Sequence, residues 1–347
     1  MNLRKYLAGM AVASMFLVGA CGGSDETASF TEINSMPELY EAAKAEGQLM
    51  IYGPTENLYA AVYEDFEKEY PGIDITTADI FGQELDTRLE GEQIAGGFEA
   101  DLLHIGVSDM ERYLEKDYLA SYRPLGTESL SEDFVGPDET WSVASRHLYA
   151  SVYNTSQIQP ADLPHQWSQL TDPRWKGEVA VSNPKISGAT PQALSAALEA
   201  GVIDEAWIDE FKSAVNPTIY PSVANALQSV VTGEQGLSLV AGYGTFKRQI
   251  QQGAPLGFAV MDDGAYFSDV AYGLLSGSKH SAAARLLTSW MFSPQGQASI
   301  AKHVYEFGTM PDAPAPDGAD QLGISAEITY PGADRYKATL RLLGDKF

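Results

Sequence analysis

Gln48-Leu-Met-Ile-Tyr52 is a continuous apolar run, and Ile73-Asp-Ile-Thr-Thr77 alternates apolar with polar residues. Between them, Leu58, Ala61, Val62, Phe66 and Tyr70 recur at three- and four-residue spacing. The runs suit a buried and a half-buried strand, and the spacing suits an amphipathic helix. Gly53-Pro54 ends the first strand and Pro71-Gly72 ends the helix, with Thr55 placed to cap the helix start. A strand, helix, strand unit joins parallel strands, so residues 48–77 set the class of the chain as α/β.

The same alternation extends outward in both directions. Upstream, residues 37–47 have helical composition and end in a glycine. Downstream, residues 83–96 are amphipathic, Ala100-Asp-Leu-Leu-His104 is strand-like and residues 108–118 are helical. This predicts a mainly parallel sheet with helices on both faces, and ligands then sit beyond the carboxyl ends of the strands, at residues 53–57, 79–82 and 105–109.

A second α/β region follows Leu148-Tyr-Ala-Ser-Val-Tyr153 and the turn signals Asn154-Thr155 and Gln159-Pro160. It holds a strand at Glu178-Val-Ala-Val-Ser182 and a helix opened by Thr190-Pro191. Another helix over 222–232 and strands over 236–241 and 256–261 complete it. From Val270 onward long helices return, over 280–291, 294–303 and 336–343. The expected organisation is two lobes hinged around a central cleft, with residues 31–150 and 267–347 as lobe 1 and 151–266 as lobe 2.

At the N-terminus, Arg4 and Lys5 precede an apolar stretch from Tyr6 to Val18, then Gly19, Ala20 and Cys21. That layout is a secretory signal, too short to span a bilayer comfortably. The cysteine after Val18-Gly19-Ala20 resembles the lipobox of bacterial lipoproteins. The expectation is a signal peptide over 1–20, lipid on Cys21 and a flexible tether over 21–30. Cys21 is the one cysteine in the sequence. Once lipidated, it leaves the exported domain without a disulfide, a thiolate metal site or a cysteine nucleophile. The formal charge is −25, or −27 after loss of Arg4 and Lys5. Such a chain repels nucleic acid and acidic headgroups, and the charge reads as a solubility or salt adaptation.

Six segments resemble the solute-binding proteins of ABC importers, in the group of the ferric-iron binders and their phosphonate and sugar-phosphate relatives. They are Glu46-Gly-Gln-Leu-Met-Ile-Tyr52, Phe66-Glu-Lys-Glu-Tyr-Pro-Gly72, Gly96-Gly-Phe-Glu-Ala-Asp101, Trp167-Ser-Gln-Leu-Thr-Asp-Pro-Arg-Trp-Lys-Gly177, Thr232-Gly-Glu234 and Ser293-Pro-Gln-Gly-Gln297. The resemblance implies a two-lobed type 2 periplasmic-binding fold that closes on one solute and delivers it to a permease. The implied protein is an exported monomer held at the bacterial membrane by its lipid.

In the ferric-binding members, adjacent tyrosines of the second lobe hold Fe3+, often with a histidine and a carboxylate of the first. The matching segment here, Ala241-Gly-Tyr-Gly244, keeps Tyr243 and has Gly244 in the second tyrosine's place. Glu56 falls where the histidine occurs and Gly106 where the carboxylate occurs, with His104 nearby in sequence terms. If iron is carried, Tyr243 and Glu56 are its candidate ligands, a thin set of hard oxygen donors for Fe(III). An organic anion or zwitterion fits better. Ser187-Gly188-Ala189-Thr190 leads into a helix N-terminus, where free N–H groups favour a carboxylate, phosphate or phosphonate. Thr55, Glu56 and Gly106 are the first-lobe candidates for binding. Tyr220, Tyr243 and Tyr266 lie at element ends where rings can cover a ligand, and Arg146, Lys185 and Lys247 are the candidate cations. An exported hydrolase is the rival class, but no Gly-x-Ser-x-Gly elbow, His-Glu-x-x-His helix or phosphate-loop motif occurs. A sensor-linked binding protein is a third reading.

Overall fold

The computed structural model describes residues 33–347, so the signal segment, Cys21 and the tether lie outside the described residues. Residues 48–79 fold as their pattern predicts. Strand Gln48–Gly53 leads to helix Ala60–Glu69 and strand Asp74–Asp79, and the two strands pair in parallel from Gln48 opposite Asp74 onward. The helix turns Val62, Tyr63 and Phe66 inward, as the spacing requires. One detail differs. Thr55 makes no capping hydrogen bond; it sits at φ 63° in the left-handed region, and a short 3₁₀ turn, Glu56–Leu58, separates it from the helix. A β-branched residue there carries backbone strain.

Twelve strands among the described residues form one sheet. Its main path runs Asp74–Asp79, Gln48–Gly53, Leu102–Gly106, Ala265–Leu275, Ser142–Asn154, Leu237–Gly242, Val179–Ser182 and Thr218–Tyr220. Pairs toward either end are parallel. The pairs in the middle, made by the two long strands Ala265–Leu275 and Ser142–Asn154, are antiparallel. The sheet is therefore mixed, where alternation alone predicted a mainly parallel one. Ala265–Leu275 also displaces the helical reading of residues after Val270. Nine of its eleven residues are buried, so it shows no two-residue alternation to mark it as a strand. Register shifts between Val270 and Ala271, and between Ala150 and Val152, bend these long strands.

Residues 34–347 make one compact unit. Helix Ala333–Lys346, expected with lobe 1, packs on helix Ala189–Glu199 of the middle region. Leu343 joins the buried cluster of Ala193 and Leu194, and Thr339 Oγ1 lies 3.0 Å from Ser195 Oγ. Its apolar spacing announced a buried face but carried no information about the partner. Among the described residues no helix is long and apolar enough to cross a membrane.

Candidate functional site

Val179–Ser182 runs parallel to both Thr218–Tyr220 and Leu237–Gly242, so the helices that follow these three strands start at one edge of the sheet. They are Ala189–Glu199, Val223–Val231 and Tyr243–Gln251. Their first residues wall a cavity of about 550 Å³, closed on the other side by Pro54, Thr55, Leu58 and Phe81 from the ends of the first two strands. Gly188 and Gly242, at two of the three N-caps, have no side chain with which to cap. At the third, Ser222 Oγ accepts from Asn225 N at 3.2 Å. The first turns of two helices thus present backbone N–H groups and positive dipole ends toward the cavity.

The charged groups of the wall are Arg248, His147 and Glu306. Glu306 is buried; Oε1 lies 2.7 Å from His147 Nε2, and Oε2 accepts from Tyr59 at 2.6 Å and Ser145 at 2.5 Å. Burial works to raise the Glu306 pKa, but His147 and the two hydroxyl donors outweigh it and hold the carboxyl below its ordinary value. Burial works to lower the His147 pKa, and Glu306 reverses that, leaving it raised despite the opposing charge of Arg248. Both shifts favour the charge-paired form of the two groups. Arg248 is different. Burial lowers its pKa, with Glu306 opposing, yet a guanidinium stays charged at neutral pH. Its hydrogen bond runs to Thr245 Oγ1 at 3.4 Å, and among the described residues it forms no ion pair. The cavity keeps one cation outside any ion pair among the described residues, in a chain of formal charge −25.

Of the residues singled out from sequence, Thr55, Gly188, Ala189 and Tyr243 line this cavity. The others lie outside its lining. Glu56 is buried behind the first strand, with Oε1 2.8 Å from His104 Nδ1 and Oε2 accepting from Tyr63 at 2.5 Å. Gly106 caps helix Val107–Leu114 and pairs with Val270. Ser187 Oγ is 2.9 Å from the Tyr336 hydroxyl, and Thr190 is fully buried with its hydroxyl 2.6 Å from Ser182 Oγ. Tyr220 packs against the cluster of Leu227 and Phe246. Tyr266 is buried and donates to Gln192 Oε1 at 3.3 Å. Arg146 is engaged by Asp269 at 2.8 Å and Glu327 at 2.7 Å, and Lys247 by Asp317 at 2.8 Å. Lys185 is not part of the lining.

Sequence reasoning missed Arg248, His147, Tyr149, Tyr305, Glu306 and Phe81. One signal was available for Arg248: four residues after Gly244 on a helix, it shares that glycine's face. Glu306 and Tyr305 come from a loop after helix Pro294–His303, and nothing local brings them to the cavity. Tyr305 has φ 59°, so the cavity holds two non-glycine residues, Thr55 and Tyr305, in the left-handed region. Such strain gathers at functional sites.

Gly244 decides what Tyr243 can do. A Cβ at 244 would lie 2.5 Å from the Val304 carbonyl oxygen, so no second tyrosine fits beside Tyr243 in this conformation. Tyr243 itself donates its hydroxyl to the Asp317 carbonyl at 2.7 Å, and burial, with help from Asp317 and Asp320, pushes its pKa up to about 12. Its phenolate is disfavoured, and Glu56 is tied up with His104 and Tyr63.

The model for the family of bacterial extracellular solute-binding proteins matches residues 100–339. The chain is 26% identical over 270 residues to a Serratia marcescens protein named Fe(3+)-binding periplasmic protein, covering 74% of this chain and 77% of that one. In three dimensions it resembles iron-bound HitA from Pseudomonas aeruginosa, with a TM-score of 0.72 at 20% identity over 86% of this chain and 99% of that one. It also resembles the periplasmic binding protein AfuA from Actinobacillus pleuropneumoniae, solved with fructose-6-phosphate bound. The TM-score there is 0.70 at 19% identity, over 86% and 98% of the two chains. Likeness at these identities speaks for a common fold, the type 2 periplasmic-binding architecture.

Proposed function

We propose that this chain, which belongs to the bacterial extracellular solute-binding proteins of ABC importers, captures one small organic anion in the cavity around Arg248 and delivers it to a permease. The observation that carries this reading is the meeting of two helix N-termini without side-chain caps, at Gly188 and Gly242, with an unpaired, partly buried guanidinium on a single cavity. Backbone N–H groups and a charged fork are the usual partners of carboxylate, phosphate and phosphonate oxygens. Solute-binding proteins of this family work outside the cytoplasm. In our reading the protein stays near its permease through lipid on Cys21, as a monomer, after removal of residues 1–20.

The two long antiparallel strands serve as the hinge, with the first-lobe residues Thr55 and Phe81 moving against the helix starts at Gly188, Ser222 and Gly242. Register shifts in both strands are where such bending is least costly. A thermal-shift screen of phosphonates, carboxylates and sugar phosphates tests the ligand class. An anion at 100 times its dissociation constant adds about 2.7 kcal/mol to stability. Stabilisation by cationic or neutral solutes alone would remove the reading.

Ferric iron as cargo is the second reading, favoured by Tyr243 on the cavity wall and by the iron-binding names of relatives. It predicts a coloured complex from a phenolate-to-iron transition, and Tyr243→Phe would abolish that colour.

A further inference from the structure

Resting on the reading of the cavity as an anion site, we infer that its solute carries an apolar body, aromatic or branched alkyl, behind the oxyanion head, and is not a polyol phosphate. Hydroxyl-rich ligands are held largely by Asp and Glu, which accept from their hydroxyls, and by Asn and Gln, which both donate and accept. Among the described residues lining the cavity there is no Asp, Asn or Gln. The one carboxylate, Glu306, already has an ion pair with His147 and hydrogen bonds from Tyr59 and Ser145.

Two of the wall's three tyrosines are already engaged, which leaves Tyr149. The Tyr243 hydroxyl is given to the Asp317 carbonyl and the Tyr305 hydroxyl accepts from Gln251, so these two offer ring surface more than hydrogen bonds. A polyol bound here would have only the hydroxyls of Thr55, Ser222, Thr245 and Tyr149 to pair with, fewer groups than its own hydroxyls need, and sites reject ligands whose polar groups go unpaired.

The rest of the surface asks for apolar contact. Leu58, Phe81, Leu148, Val223 and Leu227 line the cavity. Phe81 is 67% exposed and Leu58 37% exposed, two of the five large apolar side chains left exposed among the described residues. Exposed apolar groups gathered at the mouth of a cavity mark a binding surface. A volume of about 550 Å³ takes a ring or a branched chain with its head group at Arg248.

Calorimetric titration of the purified protein with phenylphosphonate, inorganic phosphate and glucose 6-phosphate tests this. Phenylphosphonate is expected to bind at least tenfold tighter than either of the others, and Phe81→Ser, at a side chain 67% exposed, to weaken phenylphosphonate binding at least fivefold more than it weakens phosphate binding. Glucose 6-phosphate binding as tightly as phenylphosphonate, or phosphate matching it, overturns the apolar body and leaves the anion reading standing. No binding of any of the three overturns both.

Discussion

The molecule contains two buried glutamate-histidine pairs that resemble each other in chemistry and differ in what surrounds them. Glu56 and His104 are both sealed in the interior, 1% and 2% exposed. The His104 ring is stacked on Tyr272 at 4.2 Å and meets Tyr59 edge-on at 4.5 Å. Gly53 passes so close to the Glu56 carboxylate and the His104 carbonyl that no Cβ fits there. Glu306 and His147 instead form part of the cavity wall, next to Arg248. The first pair ties residues at the ends of strands Gln48–Gly53 and Leu102–Gly106 together in the interior; the second lies on the cavity wall, where in our reading a solute would meet it. Position relative to the cavity, not residue type, separates the interior pair from the one at the candidate site.

The largest effect that can break this comparison is on stability. Glu56→Ala leaves His104 and Tyr63 without their buried partner, and removing one member of such a pair costs about 3–5 kcal/mol. Urea unfolding monitored by tryptophan fluorescence measures it, and a loss under about 1 kcal/mol would mean that the interior pair holds nothing together. Arg248→Ala should do the reverse. Losing a charged donor to the solute weakens binding by roughly 1.5–3 kcal/mol, about 10- to 150-fold, with little change in the unfolding midpoint. Equal affinity in calorimetry would take Arg248 out of the site.

Gly244→Ala tests the close approach to Val304. Overpacking at that point should destabilise by about 1–3 kcal/mol, whereas an unchanged midpoint would show that the loop of Val304 yields easily.

The smallest effect is pH-dependent and belongs to the second pair. Glu306 is held below its ordinary value of 4.5, so its contribution is present above that pH and is lost as pH falls through the lowered value. His147 is raised above its ordinary 6.5, so its contribution is full below that pH and is lost as pH rises through the raised value. The pair should therefore stabilise most between about pH 4.5 and 6.5. The groups facing His147 are Glu306, Arg248 and Tyr149, and Tyr149, pushed up to about 12 by burial and Glu306, does not titrate in this range. The stability gap between the native protein and His147→Gln, measured by urea unfolding, should narrow from pH 6 to pH 9. A gap that stays constant would mean that His147 does not change charge there.

Much of the fold was legible because local patterns carried it. The apolar run at 48–52, the 3.6-residue spacing through Phe66 and the Pro71-Gly72 stop placed a strand, a helix and a strand, and the helix read over 294–303 is found as Pro294–His303. Ala265–Leu275 was not legible, since a strand buried on both faces loses its alternation. For the site, the helix led into by Ser187-Gly188-Ala189-Thr190 was visible because caps are written locally, although it starts at Ala189 and not at Thr190; the helix that begins at Tyr243 was not read from the sequence. Glu56 and Tyr266 were chosen for their types and turned out to be interior; type and position in the chain do not say which side of a strand faces a cavity.

The sequence alone determined the strand and helix inventory around residues 48–104, the single cysteine, the acidic balance and the replacement of a second tyrosine by Gly244. Tertiary structure decided the site. Arg248, Glu306 and Phe81 come from a helix, a loop and a strand end that share no local pattern, and they meet only because parallel strands put three helix starts on one edge. Local interactions set which elements form; burial of their apolar faces sets which elements meet. A cavity, with its one unpaired cation, exists only after the second of these has happened.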